Sequence, residues 1–452
     1  MKNISKIISN LFLSFSFLFL CYVLYRSEIH HDGNQFGYYL KYYIIALILI
    51  IVSIISFFIP KNIKINISVF IISILIGLYL VEAYLNIKHK KISTYKKLTG
   101  KDYDLRTTFE IYNDLKKENP NIVVSPPPSH FVDDLNFDLA PLSGVANRKT
   151  IHCNENGYYS IYQSDRYGFN NPDEEWEKLE TDYLLVGDSM TRGACVNEPD
   201  TFSGNLKKLK NNNNGVLNLG QTGNGPLRQY ATLREYLPHK NVKRVIWLFS
   251  EGNDLIDLNN ELKHQILIKY LKNKNFNQNL LLRNKEVQKL LISELSTVEE
   301  KMRKNYIFEQ KTKRSFFVNF LTLKKIRIYY FESLFHEYNK KKYVFNKQEF
   351  TKVIILSNQL AYKNKSKFYF IYMPLYMRFQ LNNDNDNYQH YNEVLKIIND
   401  LNIPIIDIKK EVFDKMKDPL ELFPFKGQGH YNVKGYEIIT KSIFNKINEL
   451  EN

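Results

Sequence analysis

The sequence predicts an α/β protein: a three-layer α/β/α sandwich with a parallel sheet, preceded by three transmembrane helices. Two patterns lead to this prediction. From Thr181 onward, short apolar runs alternate with amphipathic stretches, which is typical of a parallel sheet covered by helices. Before about residue 88, three apolar stretches each approach the ~20 residues that cross a hydrocarbon core.

Composition limits the classes of protein that fit. The chain has 452 residues, of which 44% are hydrophobic and 14% aromatic, and its formal net charge is +15. The aromatic content supplies core material and excludes a disordered chain. The mean hydropathy of −0.35 excludes a transporter embedded throughout in the membrane, and the apolar first fifth excludes a wholly soluble enzyme. The Lys residues are dispersed, so we interpret the charge as solvated surface and expect no nucleic-acid partner.

The predicted membrane anchor covers residues 1–87. Its apolar bodies are Ile7–Tyr25, Tyr43–Ile59 and Ile65–Ile87, and a short turn at Pro60–Lys64 joins the last two. A signal peptide is the alternative interpretation of the first body, because its start is basic. Bulky residues follow it where a cleavage site would need small ones, so we expect an uncleaved span.

Two signals conflict over the side of the membrane that carries the large domain. Lys and Arg are more numerous after the third span than before the first, so the positive-inside rule keeps the domain in the cytoplasm. If the N-terminus is cytoplasmic, an odd number of spans places the large domain outside the cytoplasm. A long domain can translocate despite flanking charge. We expect a multi-pass inner (cell) membrane protein with an extracytoplasmic domain. Glu82 lies near the end of the third span, where an interfacial position tolerates it.

Residues 88–180 are predicted to form a connector and a small β-containing segment. The β pieces are Thr150–Cys153 and Tyr158–Tyr162, separated by an Asn/Gly turn. Cys153 and Cys195 could pair if the domain is extracytoplasmic, or remain two separate buried thiols, and we expect separate thiols. The sequence has no CxxC pair or His/Cys cluster with zinc spacing, so no metal is indicated.

The α/β domain is predicted over residues 181–452. Its candidate strands are Tyr183–Val186, Val216–Leu219, Val245–Phe249, Phe368–Tyr372 and Ile403–Ile408. A stretch at about residues 261–349, rich in Leu, Lys, Asn and Glu at helical spacing, interrupts the sheet after the third strand. We expect this insertion to be a helical lid or side subdomain.

The first candidate site residue, Ser189, follows the first strand within Gly187-Asp188-Ser189. Residues just past the carboxyl end of a strand occupy the ligand crevice of an open α/β sheet. A backbone N–H at a helix start can also stabilise a developing anion. Asp and Ser are ordinary helix caps, however, so this block by itself indicates a cap.

Three later blocks favour a catalytic interpretation. The Gly-rich turn at Asn218–Gly225 lets backbone N–H groups approach a substrate, and Asn253 adds a side-chain amide after the third strand. His430 stands just before the final amphipathic stretch, where it could act as a general base. Successive strand ends can therefore surround one oxyanion with donors beside a Ser and a His.

Taken in order, these four blocks resemble the SGNH (GDSL-type) hydrolase superfamily over about residues 181–446, without the insertion. The resemblance implies that Ser189 is the nucleophile and that His430 is the base. It also implies an oxyanion hole made by the N–H groups of Ser189 and Gly223 with the amide of Asn253. No cofactor is implied.

The chain departs from the family pattern at one position. The family usually has Asp three residues before its His, and here that residue is Gly427. A carboxylate from elsewhere could orient the imidazole, or Ser189 and His430 could work as a dyad. The possible supporting carboxylates are Asp188, Asp254, Asp418 and Glu421. We expect Asp254 to be a structural cap.

The resemblance implies a membrane-anchored serine esterase, or an acyltransferase with the same acyl-serine intermediate, acting on an O-acyl group of a glycan or lipid. The segment Asp165–Phe169 also looks like one in bacterial membrane-anchored members. The alternative is a catalytically weak or inactive SGNH-like module for binding or assembly of cell-surface polysaccharide. The missing Asp and the large insertion favour that alternative.

Overall fold

The structure, a computed structural model, describes residues 2–30, 33, 36–88, 91–131, 138–312, 316–327, 345–380 and 390–452. Contacts divide the chain into two compact units. The membrane unit comprises residues 1–89 and 314–339, and the sheet unit comprises residues 90–313 and 340–452. The domain boundaries drawn from the sequence stay predictions.

Three long apolar helices form most of the membrane unit: α1 (Lys2–Leu24), α2 (Phe36–Ile55) and α3 (Lys61–Lys88). The segments long and apolar enough to cross a membrane are Ser5–Ile29, Phe36–Phe58 and Lys61–Asn86. This agrees with the three spans predicted from the sequence. The predicted turn at Pro60–Lys64 is shorter in the structure, because α3 already begins at Lys61. Pro60 directly precedes it, where a missing N–H costs no helical hydrogen bond.

The start of the sheet unit contains two helices and a small hairpin. Helix α4 covers Lys91–Thr99 and α5 covers Thr108–Glu118. The strands β1 (Lys149–Ile151) and β2 (Ile161–Gln163) pair antiparallel, with Thr150 opposite Tyr162. Both short β pieces predicted in this segment are therefore present, and the turn between them is long enough to carry functional side chains.

Five strands form the parallel sheet: β3 (Glu180–Gly187), β4 (Gly215–Asn218), β5 (Asn241–Ser250), β6 (Lys367–Met373) and β7 (Ile405–Asp407). Each overlaps one of the predicted strands. Their spatial order is β4-β3-β5-β6-β7, so the order reverses at β3. In open α/β sheets the ligand crevice lies outside the carboxyl ends of the strands at such a reversal.

Side chains alternate between two buried cores, one on each face of the sheet. Leu184 and Trp247 belong to one core, whereas their neighbours Leu185 and Ile246 belong to the other. Each large apolar side chain fully buried in this way contributes about 1.5–3 kcal/mol. The continuous apolar strands of the sequence reflect this burial on both faces.

Helices cover both faces of the sheet, as the three-layer prediction requires. Among the described residues, the remaining α-helices are α6 (Ser189–Arg192), α7 (Phe202–Leu209), α8 (Pro226–Tyr236), α9 (Asp254–Glu261), α10 (Gln265–Lys272), α11 (Asn284–Ser293), α12 (Leu295–Thr312), α13 (Phe316–Leu321), α14 (Lys324–Ile326), α15 (Lys347–Lys363), α16 (Tyr376–Gln380), α17 (Tyr391–Asp400), α18 (Ile408–Glu411) and α19 (Val433–Glu451). Helices α8 and α15 pack together over one core, and α7 and α19 pack together over the other. The predicted fold class is confirmed.

The described part of the insertion at about residues 261–349 is largely helical, from α10 to the start of α15. Helices α10 to α12 belong to the sheet unit, but α13 and α14 belong to the membrane unit. Residues 313–315 and 328–344 lie outside the described residues. A role as a lid stays a prediction.

Candidate active site

Ser189 lies at the turn from β3 into α6. The carboxylate of Asp188 caps this helix by accepting the N–H of Met190 at 2.9 Å. The cap makes Ser189 the first residue of the helix, whose N–H has no partner within the helix. Gly193, with a φ of 90°, ends the helix after a single turn. Ser189 thus stands on a short, capped turn at the strand end nearest the reversal of the sheet.

His430 lies within hydrogen-bond distance of Ser189, 241 residues away in sequence. Its Nε2 is 2.9 Å from the Oγ of Ser189. The loop that carries His430 is fixed just before α19, because Asn432 caps that helix by accepting the N–H of Gly435 at 2.8 Å. The backbone N–H of Asn432 also donates to the carbonyl of Leu422 at 2.9 Å. A nucleophile and a base in contact are the minimum that acyl transfer through serine requires.

The carboxylate that contacts His430 belongs to Glu155, in the turn between β1 and β2. The Nδ1 of His430 is 3.0 Å from Oε1 and 3.2 Å from Oε2 of Glu155, and the backbone N–H of His430 donates to Oε2 at 2.6 Å. Since an ionised carboxylate only accepts hydrogen bonds, Nδ1 carries the ring proton and Nε2 is left to accept from Ser189. Gly429 makes this approach possible, because a Cβ there would lie 2.7 Å from Oε2.

The carboxylates nearest upstream of His430 in sequence are engaged elsewhere. Asp418 accepts a hydrogen bond from Lys426 at 2.7 Å, and Glu421 accepts one from Lys434 at 3.0 Å. The carboxyl side chains of both acids are more than a third exposed in these ion pairs. Sequence reasoning therefore missed Glu155, which stands 275 residues before His430 and has no spacing relation to it.

A disulfide joins Cys153 to Cys195, whose Cα atoms are 4.9 Å apart. This corrects the expectation of two separate thiols, because the fold brings the β1–β2 turn against the residues that follow α6. The Sγ of Cys195, a carboxylate oxygen of Glu155 and a ring nitrogen of His430 lie within 4.8 Å of one another. The cysteine pairing was the signal that could have pointed to Glu155, since Cys153 stands two residues before it and Cys195 six residues after Ser189.

Charge around the imidazole raises the pKa of His430 above its ordinary value. Burial acts in the opposite direction, but the hydrogen bond to Glu155 and the negative charges of Glu155 and Asp188 outweigh it. Burial raises the pKa of Asp188, while the charge of His430 and a hydrogen bond from Asn253 lower it. An imidazole with a raised pKa is a stronger base toward the hydroxyl of Ser189.

The two other oxyanion-hole candidates stand at neighbouring strand ends. Gly223 has a φ of +74°, and a Cβ there would lie 2.6 Å from the Oγ of Ser129, so this position requires glycine. The amide of Asn253 accepts a hydrogen bond from Ser250 at 2.7 Å and donates one to Asp257 at 3.1 Å, which fixes its plane. That these groups converge with the N–H of Ser189 on one oxyanion stays a prediction.

Arg192 connects the elements around Ser189, and sequence reasoning did not single it out. Its buried guanidinium donates to the hydroxyl of Thr222 at 3.0 Å and to the hydroxyl of Tyr162 in β2. The guanidinium carbon also lies 5.1 Å from the centre of the Tyr162 ring. Because Thr222 directly precedes Gly223, Arg192 ties the Gly-rich turn to α6 and to the hairpin.

Asp254 is fully buried and fixes the loop that carries Asn253. Its carboxylate accepts the N–H of Ser250 at 3.0 Å and the side-chain amide of Gln229 at 3.3 Å. Burial, together with the negative charge of Asp188, raises the pKa of Asp254 well above its usual range. These contacts are structural, but the cap position of α9 is Asn253, so the expected cap role of Asp254 stays a prediction.

Asp165, the first residue of the Asp165–Phe169 segment, is a buried hydrogen-bond centre. Its carboxylate accepts from the backbone N–H groups of Tyr167 and Phe169, both at 2.9 Å, and from the side chains of Asn171 and Trp176, both at 2.8 Å. Asn171 in turn exchanges two hydrogen bonds with the backbone of Asn218 in β4. This segment therefore ties the region before the sheet to an edge strand.

Comparisons with known proteins find little that is similar to this chain. No family model matches it, and no curated protein matches it. A solved structure assigned to the G-D-S-L family of lipolytic proteins, from Desulfitobacterium hafniense DCB-2, is similar over 58% of this chain and 97% of that chain, at 13% sequence identity and a TM-score of 0.31. The function of this chain is therefore inferred from the residues of the site.

Proposed function

We propose that the sheet unit is a serine esterase of SGNH type, or an O-acyltransferase with the same acyl-serine intermediate. Ser189 is its nucleophile, His430 its base and Glu155 the acid that positions His430. One observation carries the proposal: contacts of 2.9 Å and 3.0 Å lead from the Oγ of Ser189 through the two ring nitrogens of His430 to Glu155. This is the order of groups that serine acyl transfer uses.

The reaction follows from these contacts. The Oγ of Ser189 attacks the ester carbonyl carbon while the Nε2 of His430 takes its proton, and Glu155 stabilises the imidazolium that forms. The N–H groups of Ser189 and Gly223 and the amide of Asn253 stabilise the oxyanion. When the C–O bond breaks, His430 returns the proton to the leaving alkoxide and the acyl group stays on Ser189. A water molecule or an acceptor hydroxyl, deprotonated by His430, then attacks the acyl carbon. The bond between the acyl carbon and the Oγ of Ser189 breaks, and His430 returns the proton to that Oγ.

We propose an O-acyl ester of a glycan or lipid as the substrate. The sheet unit is joined in sequence to three helices long enough to cross a membrane, and this linkage favours a substrate of the membrane or the cell surface. The outcome of the second step depends on access of water to the acyl-serine. A transferase would exclude water and admit an acceptor hydroxyl.

We propose that the sheet unit faces the extracytoplasmic side. The Cys153–Cys195 disulfide supports this side, because disulfides persist in oxidising compartments and are rare in the cytosol. A bias from flanking Lys residues is the weaker signal for a long domain. A reporter enzyme that is active only outside the cytoplasm, fused after Asn452, is expected to be active, and an inactive but stable fusion would contradict the assignment.

Covalent labelling by a fluorophosphonate probe tests the proposed function. The full-length protein is expected to be labelled, and Ser189→Ala is expected to lose the label. Ser293→Ala, on the exposed side of α11, is the matched control and should label like the wild type. Absent labelling of the folded wild type, or equal labelling of Ser189→Ala, would overturn the nucleophile assignment.

A folded protein without labelling would instead support the alternative, a non-catalytic module for cell-surface polysaccharide. Two features of the sequence favoured that alternative: the Asp missing at Gly427 and the large insertion. The contact between His430 and Glu155 weakens the first of them, because it supplies the imidazole with a carboxylate.

A further inference from the structure

Part of the insertion belongs to the membrane unit. Helices α13 and α14 pack against α3, although the hydrogen-bonded residues are 242 and 243 positions apart in sequence. The segment of residues 316–327 is therefore a second portion of the chain in contact with the membrane-spanning helices. The proposed esterase activity does not explain this contact.

Glu82 is the centre of the contact. Its carboxylate is only 1% exposed, and its two oxygens accept the backbone N–H groups of Lys325 and Ile326, each at 2.9 Å. A buried carboxylate in a membrane-spanning helix is costly unless it has partners, and backbone donors of α14 supply them here. The hydrogen bonds between α14 and Glu82 therefore satisfy the buried carboxylate and hold the insertion against α3.

A second contact lies three residues earlier on α3. The hydroxyl of Tyr79 donates to the carbonyl of Leu321 at 3.0 Å, and its ring centre lies 5.5 Å from that of Phe320. Tyr79 and Glu82 share one face of the helix, because residues three apart are neighbours on a helix surface. The insertion is thus held along one face of α3.

The depth of Glu82 in the span indicates where this segment lies. The span covers Lys61–Asn86, and Glu82 stands about 13 Å beyond its middle at 1.5 Å per residue. Half of a hydrocarbon core is about 15 Å thick. Glu82 and the segment it holds therefore lie at the boundary between acyl chains and head groups.

The exposed side chains of the segment suit such a boundary. Phe317 is 66% exposed and Leu321 48%, next to a helix whose exposed residues are mostly apolar. Two cations, Lys324 and Arg327, are also exposed and follow within a few residues. Apolar side chains followed by cations are the composition of elements that lie in the membrane interface and attract anionic lipids.

We propose that residues 316–327 are a second, interfacial membrane anchor, with Phe317 and Leu321 in the acyl-chain boundary and Lys324 and Arg327 at anionic phospholipid head groups. The partner is the lipid bilayer that surrounds α3. The insertion then returns the chain to the membrane, and the sheet unit is tethered at two points of the sequence, after α3 and within the insertion. This proposal does not depend on esterase activity.

Fluorescence quenching in vesicles tests the position of the segment. The full-length Cys21→Ser protein receives one new cysteine by Phe317→Cys, labelled with an environment-sensitive fluorophore and reconstituted with phosphatidylcholine and phosphatidylglycerol. Lipids with a nitroxide at a shallow acyl position are expected to quench this label. Ile76→Cys, exposed within the span, is the positive control, and the label at 317 in vesicles without nitroxide lipids sets the unquenched level. A label at 317 that stays at that level while the label at 76 is quenched would overturn the proposal.

A second copy of the chain is the competing occupant of this surface. Self-quenching between labels at position 317 of two copies, without quenching by nitroxide lipids, would indicate that occupant and overturn the proposal.

The role of Glu82 is tested by adding Glu82→Leu to the Phe317→Cys protein. Lipid quenching is expected to fall at least about twofold, because the N–H groups at the start of α14 lose their acceptor. Ser73→Ala, an exposed position on the same helix, should leave it unchanged, and unchanged quenching in Glu82→Leu would overturn the role of Glu82.

Discussion

Glu155 holds His430 at two points, because its carboxylate lies 3.0 Å from the ring Nδ1 and also accepts the backbone N–H of the same residue at 2.6 Å. The first contact sets the rotation of the imidazole, and the second sets the position of the residue that carries it. A carboxylate from the β1–β2 turn thus contacts His430, which has Gly427 and no carboxylate three residues before it.

Replacing the carboxylate of Glu155 is expected to slow acylation of Ser189. In Glu155→Gln the side chain keeps its size but loses its charge, and its amide can present a donor to Nδ1, which favours the wrong ring tautomer. We expect the rate of fluorophosphonate labelling to fall by on the order of 10³–10⁴. Asp418→Asn, which changes a carboxylate in a surface ion pair, is expected to label within about twofold of the wild type. The reverse result would identify Asp418 as the supporting acid.

Acylation is expected to depend on pH through His430. The base must be neutral to take the proton of Ser189, and Glu155 raises the pKa of the imidazole. The labelling rate should therefore increase with pH through an apparent pKa above the ordinary value of about 6.5. In Glu155→Gln this apparent pKa should move down. A profile that is identical in both proteins would contradict the assignment of the base.

The raised pKa of His430 also makes the stability of the folded protein depend on pH. A folded-state pKa above the unfolded value favours the folded protein when His430 is protonated. This contribution is complete below about pH 6.5 and disappears as the pH rises through the folded-state pKa. The wild type should therefore lose stability relative to Glu155→Gln as the pH rises across this range. Unfolding midpoints of the two proteins, measured at a series of pH values, test this, and a difference that does not change with pH would contradict it.

Breaking the disulfide is expected to reduce both stability and labelling. Cys153 and Cys195 are 42 residues apart, and closing a loop of this size contributes about 4 kcal/mol in the chain-entropy view. Cys153→Ser also frees the turn that carries Glu155, so labelling should fall even at temperatures where the protein stays folded. Cys21→Ser, at the free cysteine, is the matched control and should change neither quantity. Full labelling of folded Cys153→Ser would show that Glu155 needs no tether.

Asp165→Ala is expected to destabilise the sheet unit by about 3–5 kcal/mol. It leaves four donors without their acceptor, three of them in buried hydrogen bonds and two of them from the backbone. Asp173→Ala removes a half-exposed partner of Arg166 in the same region and should cost less than about 1 kcal/mol. Urea unfolding in detergent, followed by the fluorescence of the two tryptophans, measures the difference. Equal losses would mean that Asp165 does not organise the segment.

The sequence by itself determined the elements that local patterns encode. Three apolar stretches indicated three membrane-spanning helices, and alternating apolar and amphipathic stretches indicated the strands of a parallel sheet. The same patterns pointed to Ser189 and His430, because strand ends and helix starts can be read from the periodicity of neighbouring residues. These features depend on residues close together in the chain.

The tertiary structure decided the contacts between distant segments. Glu155 approaches His430 across 275 residues, and Glu82 meets Lys325 across 243. Neither pair has a spacing rule, since each depends on how a turn or an insertion folds back on another element. The disulfide is of the same kind: composition allowed Cys153 and Cys195 to pair or to stay apart, and only the approach of their backbones to 4.9 Å decided that they pair.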